Sequence, residues 1–120
     1  TTFCVAHPLQ VAMAEALLKM DDYLLSFQKA YREKRDYLVT QLKSCGFDVV
    51  EPAGTYFVIA LLKPHENDVE FCQKLILEKG VAAIPTSAFY MKSDEGQRMI
   101  RFCFAKKGET LQKAIERLAP

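Results

Sequence analysis

The sequence contains no tryptophan, and only five glycines, five prolines, four cysteines and two histidines in 120 residues. Each scarcity excludes something. The glycines are scattered; Gly54 and Gly80 read as an isolated turn and an isolated helix end, so no glycine-rich phosphate cradle is spelled out. No two of Cys4, Cys45, Cys72 and Cys103 stand in a Cys-x-x-Cys, so spacing gives no zinc site. Sixteen Lys and Arg against fifteen Asp and Glu leave a net charge of +1, without the basic surplus that nucleic acid demands. No apolar run approaches the ~20 residues that would span a bilayer. Neither nucleic acid nor membrane is therefore an expected partner.

What is present is a core. Half the residues are hydrophobic and about a quarter are charged, the balance of one globular domain. A chain of this length buries roughly two-thirds of its unfolded surface without staples. Cys72 and Cys103 lie among apolar neighbours and read as buried, reduced thiols, which points to the cytoplasm or another reducing compartment. No signal-peptide pattern opens the chain. It begins Thr-Thr-Phe-Cys, without Met, and reads as a piece of something longer.

Periodicity divides the chain into eight elements. Pro8 suits the start of a helix over residues 9–19, which breaks at Met20-Asp21-Asp22. A second helix spans about 22–45, with Leu24, Phe27, Tyr31, Leu38 and Leu42 on one stripe and Gly46 closing it. Off that stripe, Lys29/Glu33 and Arg32/Asp36 are spaced as ion pairs on a solvated face. Residues 47–50 alternate as a strand; 51–54 form a turn. Residues 55–62 read as a strand buried on both faces, with Tyr56-Phe57 in the core. Asn67 caps a third helix, Glu70 completes the capping-box pattern, and Phe71, Cys72, Leu75 and Ile76 point inward as far as Gly80. A strand over 81–84, a loop over 86–90 and a mobile polar tip over 91–97 follow. The strand over 99–105 precedes a last helix carrying Leu111, Ala114, Ile115 and Leu118. The fold class is α+β, a small sheet with helices packed on it.

One residue disturbs this pattern. In Ile100-Arg101-Phe102-Cys103-Phe104 the odd-numbered positions share a face, so Arg101 lies beside Cys103 on an otherwise apolar strand. A half-buried guanidinium is costly unless acceptors meet it. The strand holds no carboxylate at i±2. The counter-ion is Asp48, Glu51 or a backbone carbonyl, or it comes from another chain or a ligand. A planar fork that stays charged at any working pH suits a carboxylate ligand. Other candidates read as structural: Ser87 has no local histidine, His7 belongs to the helix entry and His65 to a surface loop. No complete acid/base constellation appears.

Four stretches carry a resemblance: Gly54-Thr55-Tyr56-Phe57, Asp68-Val69-Glu70-Phe71-Cys72, Gly80-Val81-Ala82-Ala83-Ile84-Pro85 and Ile100 through Lys106. Together with Phe3 and Pro8-Leu9-Gln10, they make the whole chain resemble the C-terminal small domain of the class I pyridoxal-phosphate aminotransferases. The subgroup with methionine aminotransferase, kynurenine aminotransferase and glutamine transaminase K is the most similar. The resemblance implies a fold-type-I enzyme, a homodimer whose small domain closes over amino-acid and 2-oxo-acid substrates. It implies that Arg101 binds the substrate α-carboxylate and that Phe3 reaches the partner subunit's site; Cys4 stands where some members carry His. It implies an inter-domain segment and bridging helix over 1–21 and the small domain over 22–120. Pyridoxal 5'-phosphate would belong to the parent enzyme. The Schiff-base lysine and the groups around the cofactor ring lie upstream in the family, so the chain alone is expected to hold no cofactor, no metal and no catalytic residue, and to be inactive without the missing large domain. A bidentate grip on the α-carboxylate fixes rotation about Cα, and such orientation draws on the ~7–11 kcal/mol available to intramolecular geometry. The alternative is a stand-alone, non-catalytic α+β module that binds a carboxylate or a protein.

Overall fold

A computed structural model describes residues 4–120. The chain forms two compact units, one ending at Ala30 and one running from Tyr31 to Pro120. The first contains helix α1 (His7–Leu17) and the opening of α2 (Asp21–Ser44). Pro8 lies in the first turn of α1, where its missing N–H costs nothing, and Gln10 Nε2 donates to the Val5 carbonyl at 2.7 Å. Tyr23 and Phe27 stack with ring centroids 5.9 Å apart. Apart from Met20, every described side chain up to Ala30 is exposed.

The second unit continues from the rest of α2 through strands β1 (Asp48–Val50) and β2 (Phe57–Leu61) and helix α3 (Asp68–Lys74). A π-helical turn (Leu75–Lys79), strand β3 (Ile84–Pro85) and two 3-10 turns (Ser87–Phe89 and Asp94–Arg98) lead to strand β4 (Met99–Cys103) and helix α4 (Gly108–Leu118). The four strands form one antiparallel sheet in the order β1-β2-β4-β3. The α+β class is therefore the one read from the sequence.

The core forms where three helices meet one face of that sheet. Leu38, Val39 and Leu42 come from α2, Cys72 from α3, Leu75 from the π turn, and Leu111, Ile115 and Leu118 from α4. They pack with Val58 and Ala60 of β2 and Ile100, Phe102 and Phe104 along β4 and beyond it. Phe47 meets Phe102 edge-on at 5.5 Å and Phe71 at 6.3 Å. Element ends follow local chemistry. Gly46 has φ 87° and Gly80 φ 62°, left-handed values that carry no Cβ penalty in glycine. Asn67 Oδ1 accepts from the amides of Val69 at 3.0 Å and Glu70 at 3.4 Å, which caps α3; the return bond from Glu70 is not formed among the described residues.

Several expectations need correction. Strand β2 is not buried on both faces: Val58 and Ala60 are fully buried, but Phe57 and Ile59 are half-buried and Leu61 is exposed, because helices cover only the other face. Tyr56 and Phe57 therefore lie outside the core. Cys103, on that same face, is also only half-buried. Ile76 points outward, since the π turn adds a residue to the helical period and rotates the stripe after Leu75. Val81 and Ala83 reach the core, yet only Ile84 and Pro85 pair as a strand. Lys29/Glu33 and Arg32/Asp36 form no ion pairs among the described residues; Arg35 takes Asp36 at 2.7 Å and donates to the Pro52 carbonyl at 3.3 Å. The polar stretch 91–97 is no loose tip. Gly96 is buried, and the Thr86 hydroxyl bonds to the carbonyls of Gly96 and Met99.

Candidate functional site

Strand β4 alternates as its sequence requires: Ile100 and Phe102 are buried, while Met99, Arg101 and Cys103 face the side without helices. Pairing places Arg101 opposite Ile59 of β2 on one flank and Ile84 of β3 on the other. Its nearest sheet neighbours are thus aliphatic, and the guanidinium cannot find a counter-ion among them.

The internal carboxylates are not used. Asp48 pairs with Leu61, two residues along and two strands across from Arg101, or about 7 Å by 10 Å on ordinary sheet spacings. The Glu51 carboxylate lies 3.9 Å from Lys43 Nζ. Among the described residues, Arg101 takes part in no ion pair and no side-chain hydrogen bond, and its Nε is buried without a partner. Two aromatic rings hold the group instead. The guanidinium carbon lies 4.7 Å from the centroid of Phe57 and 4.8 Å from that of Phe89. Cation–π attraction contributes about 0.5–2 kcal/mol per ring, more as water is removed. The rings lie against the guanidinium, and among the described residues no carboxylate meets its charge.

Both rings were missed as functional residues in the sequence. Phe57 opens β2 two residues after a strained one: Thr55 is β-branched yet has φ 68°, a conformation costing about 1–3 kcal/mol and concentrated at functional sites. That turn, followed by the bond from the Phe104 amide to the Tyr56 carbonyl at 2.9 Å, sets Phe57 on the Arg101 face. Phe89 ends a 3-10 turn and is 60% exposed, with its ring against the arginine. The only local signal was an aromatic pair, Phe89-Tyr90, in a segment read as a loop.

A third missed residue is Asp68. It is fully buried in the first turn of α3. Its Oδ2 accepts the Ser87 amide at 2.8 Å and its Oδ1 has no partner among the described residues. Burial first, and the Asp68 charge second, push the Cys72 thiol up to about 11, so Cys72 stays protonated and apolar in character. The remaining sequence candidates stay structural: His7 and His65 are exposed, and Ser87 serves through its backbone. Phe3 lies outside the described residues. Among the described residues no cluster of His, Cys, Asp or Glu could hold a metal ion, and no helix is long and apolar enough to cross a membrane. A concavity of about 360 Å³ beside α4, lined by Val81, Cys103, Lys106, Leu111 and Arg117, does not include Arg101, which stands on the open face of the sheet.

Known proteins resemble this chain along nearly its whole length. The family model "Aminotransferase class I and II" matches residues 1–118. Methionine aminotransferase of Escherichia coli (strain K12) is 42% identical over 119 residues, which cover 98% of this chain and 31% of that protein. Kynurenine–oxoglutarate transaminase 3 of Homo sapiens is 37% identical over 136 residues, covering 97% of this chain and 30% of the relative. The solved structure of N-succinyldiaminopimelate aminotransferase from Mycobacterium tuberculosis superposes with a TM-score of 0.88 at 38% identity, across 98% of this chain and 31% of that one. The chain thus spans about a third of the length of the relatives it matches. Matched along nearly its whole length by the family model, it belongs to the class I and II aminotransferases.

Proposed function

We propose that this chain is the substrate-closing small domain of an amino acid:2-oxo acid transaminase, and that Arg101 binds the α-carboxylate of the substrate. The observation that carries this reading is a guanidinium clamped between Phe57 and Phe89 with no carboxylate on it. An arginine kept for folding would be expected to have its charge met within the fold. One kept for an anionic ligand is fixed in orientation and left free to bind, as here. Amino acids and 2-oxo acids share only the carboxylate and the carbon beside it, so a single bidentate grip serves both halves of a transamination.

The chain's own residues then perform three tasks. Arg101 holds the carboxylate. The two rings fix the plane of the fork before substrate arrives, which reduces the ordering cost of binding. The aliphatic flank of Ile59 and Ile84 keeps the local dielectric low, which strengthens the ion pair. Residues 22–120 form the closing domain, residues 1–21 the inter-domain segment with its bridging helix, and Phe3 contributes to the partner subunit's site in a homodimer. Four free thiols suit the cytoplasm.

Pyridoxal 5'-phosphate does not fit the residues present. Its aldehyde needs a sheltered amine, and none of the eleven lysines is buried. The cofactor belongs to the rest of the enzyme, and no step through it is assigned to this chain.

The test is Arg101→Ala in the full-length protein. The expected outcome is a loss of kcat/KM for amino acids of at least 100-fold, on the order of the ~3 kcal/mol of a charged hydrogen-bond pair, with the cofactor absorbance unchanged. Wild-type kcat/KM in that variant would refute the assignment.

A further inference from the structure

The chemistry assigned to Arg101 leaves one costly feature unexplained. Asp68 is a carboxylate with no exposed surface, and among the described residues it makes a single side-chain hydrogen bond, to the amide of Ser87. A buried charge so poorly met weakens a fold. What it holds is the short turn that carries Phe89.

Among the described residues, three contacts bear on that turn besides the bond from the Tyr90 amide to the Ser87 carbonyl at 3.0 Å. Asp68 Oδ2 holds the Ser87 amide at 2.8 Å. The buried Thr86 hydroxyl bonds to the Met99 carbonyl at 2.8 Å and also to that of Gly96, joining the turn to the start of β4. The Phe89 amide donates to the Thr86 carbonyl at 3.0 Å, which closes the turn itself. Of the three, only the Asp68 contact reaches the turn from α3. The Phe89 ring is 60% exposed and has no core packing to hold it, so its place over Arg101 depends on the backbone beneath it.

We propose that Asp68 is a positioning residue for the Arg101 anion site: through the Ser87 amide it sets the turn that holds the Phe89 ring against the guanidinium. This rests on the carboxylate-binding role of Arg101. Without the anchor, the ring no longer restrains the fork, and the arginine binds carboxylates from a broader set of orientations. That loss falls equally on substrate and transition state, so it raises KM rather than lowering kcat.

The experiment measures steady-state kinetics of the full-length holoenzyme and the inhibition constant of hexanoate, a plain monocarboxylate. Asp68→Ala should raise both KM for the amino acid and the hexanoate constant about 5- to 10-fold, with kcat within about twofold. Asp68→Asn keeps an acceptor oxygen and should stay near wild type. Phe89→Ala, a change at an exposed position, should reproduce the Asp68→Ala values, and it serves alone if Asp68→Ala does not fold. A fall in kcat with KM and the hexanoate constant unchanged would mark a purely structural role and overturn the proposal. So would an Asp68→Asn variant as impaired as Asp68→Ala, or a wild-type hexanoate constant in Phe89→Ala. Arg101→Ala separates the two levels. If it leaves the hexanoate constant unchanged, the carboxylate reading itself fails. If it raises that constant and the Asp68 and Phe89 variants do not, only the positioning role fails.

Discussion

Replacing Arg101 by lysine keeps the charge and removes the fork, and it isolates what the geometry contributes. The guanidinium lies 4.7 Å and 4.8 Å from two ring centroids, and a planar group stacks there in a way an ammonium cannot. Lysine would retain one charged hydrogen bond to a carboxylate and lose the second, about 1.5–3 kcal/mol. Part of the aromatic restraint, on the order of 0.5–1 kcal/mol, goes with it. The sum of about 2–4 kcal/mol corresponds to a fall of roughly 30- to 1,000-fold in kcat/KM for amino acids. The assay is steady-state transamination by the full-length protein, with cofactor absorbance as a control for integrity. An Arg101→Lys enzyme within about threefold of wild type would show that only net charge matters, and the two-ring clamp would lose its meaning.

Further outcomes follow at four positions. Gly96→Ala would bring a Cβ to 2.8 Å from the Ser87 Cα and 2.5 Å from the Tyr90 ring; overpacking of this kind costs about 1–3 kcal/mol, read as a lower urea midpoint. Thr55→Gly relieves a φ of 68° and should leave the chain as stable or up to about 1 kcal/mol more stable, because the relief exceeds the entropy cost of glycine; a clear loss of stability would show that the threonine is not strained. Cys72, pushed up to about 11 from 9.0, should be alkylated at pH 8 at least 100-fold more slowly than exposed Cys4, as followed by mass spectrometry. Because its folded value is the higher one, the stability it lends is complete below pH 9 and is lost as pH rises through 11, which alkaline unfolding would register. Ile59→Glu places a carboxylate directly across the ladder from Arg101, and it should abolish hexanoate inhibition while the arginine remains in place; undiminished inhibition would mean that the guanidinium is not the ligand's contact.

Most of the fold was legible because its determinants are local. Gly46 and Asn67 mark helix ends through their own backbone and side-chain chemistry, and Leu111, Ile115 and Leu118 share a face by spacing alone. Arg101 was legible for a related reason: alternation along β4 left its charge on an apolar strand. Its partners were not. Phe57 and Phe89 come from distant segments and meet Arg101 through the pairing of β2 with β4 and the tertiary placement of the 87–89 turn. Periodicity assigned β2 to a doubly buried position because it registers hydrophobicity and not which layer covers it. The π turn after Leu75 was likewise invisible, since one added residue in a helix leaves no mark in composition.

The two faces of the sheet divide the work of the domain. Val58, Ala60, Ile100 and Phe102 fill the side that folds it, and all four are buried within the chain. The opposite side presents Phe57, Ile59, Leu61, Ile84 and Met99 around one guanidinium, an apolar surface that a stand-alone domain has little reason to keep partly exposed. Apolar flanks raise the cost of an unpaired charge, and they raise by the same physics the gain when an anion arrives. An internal carboxylate would remove both terms and leave an arginine indifferent to ligands. On the proposed reading, the absence of an ion pair at Arg101 among the described residues and the two rings against it are one design: the charge is oriented within the fold and is compensated when a ligand binds.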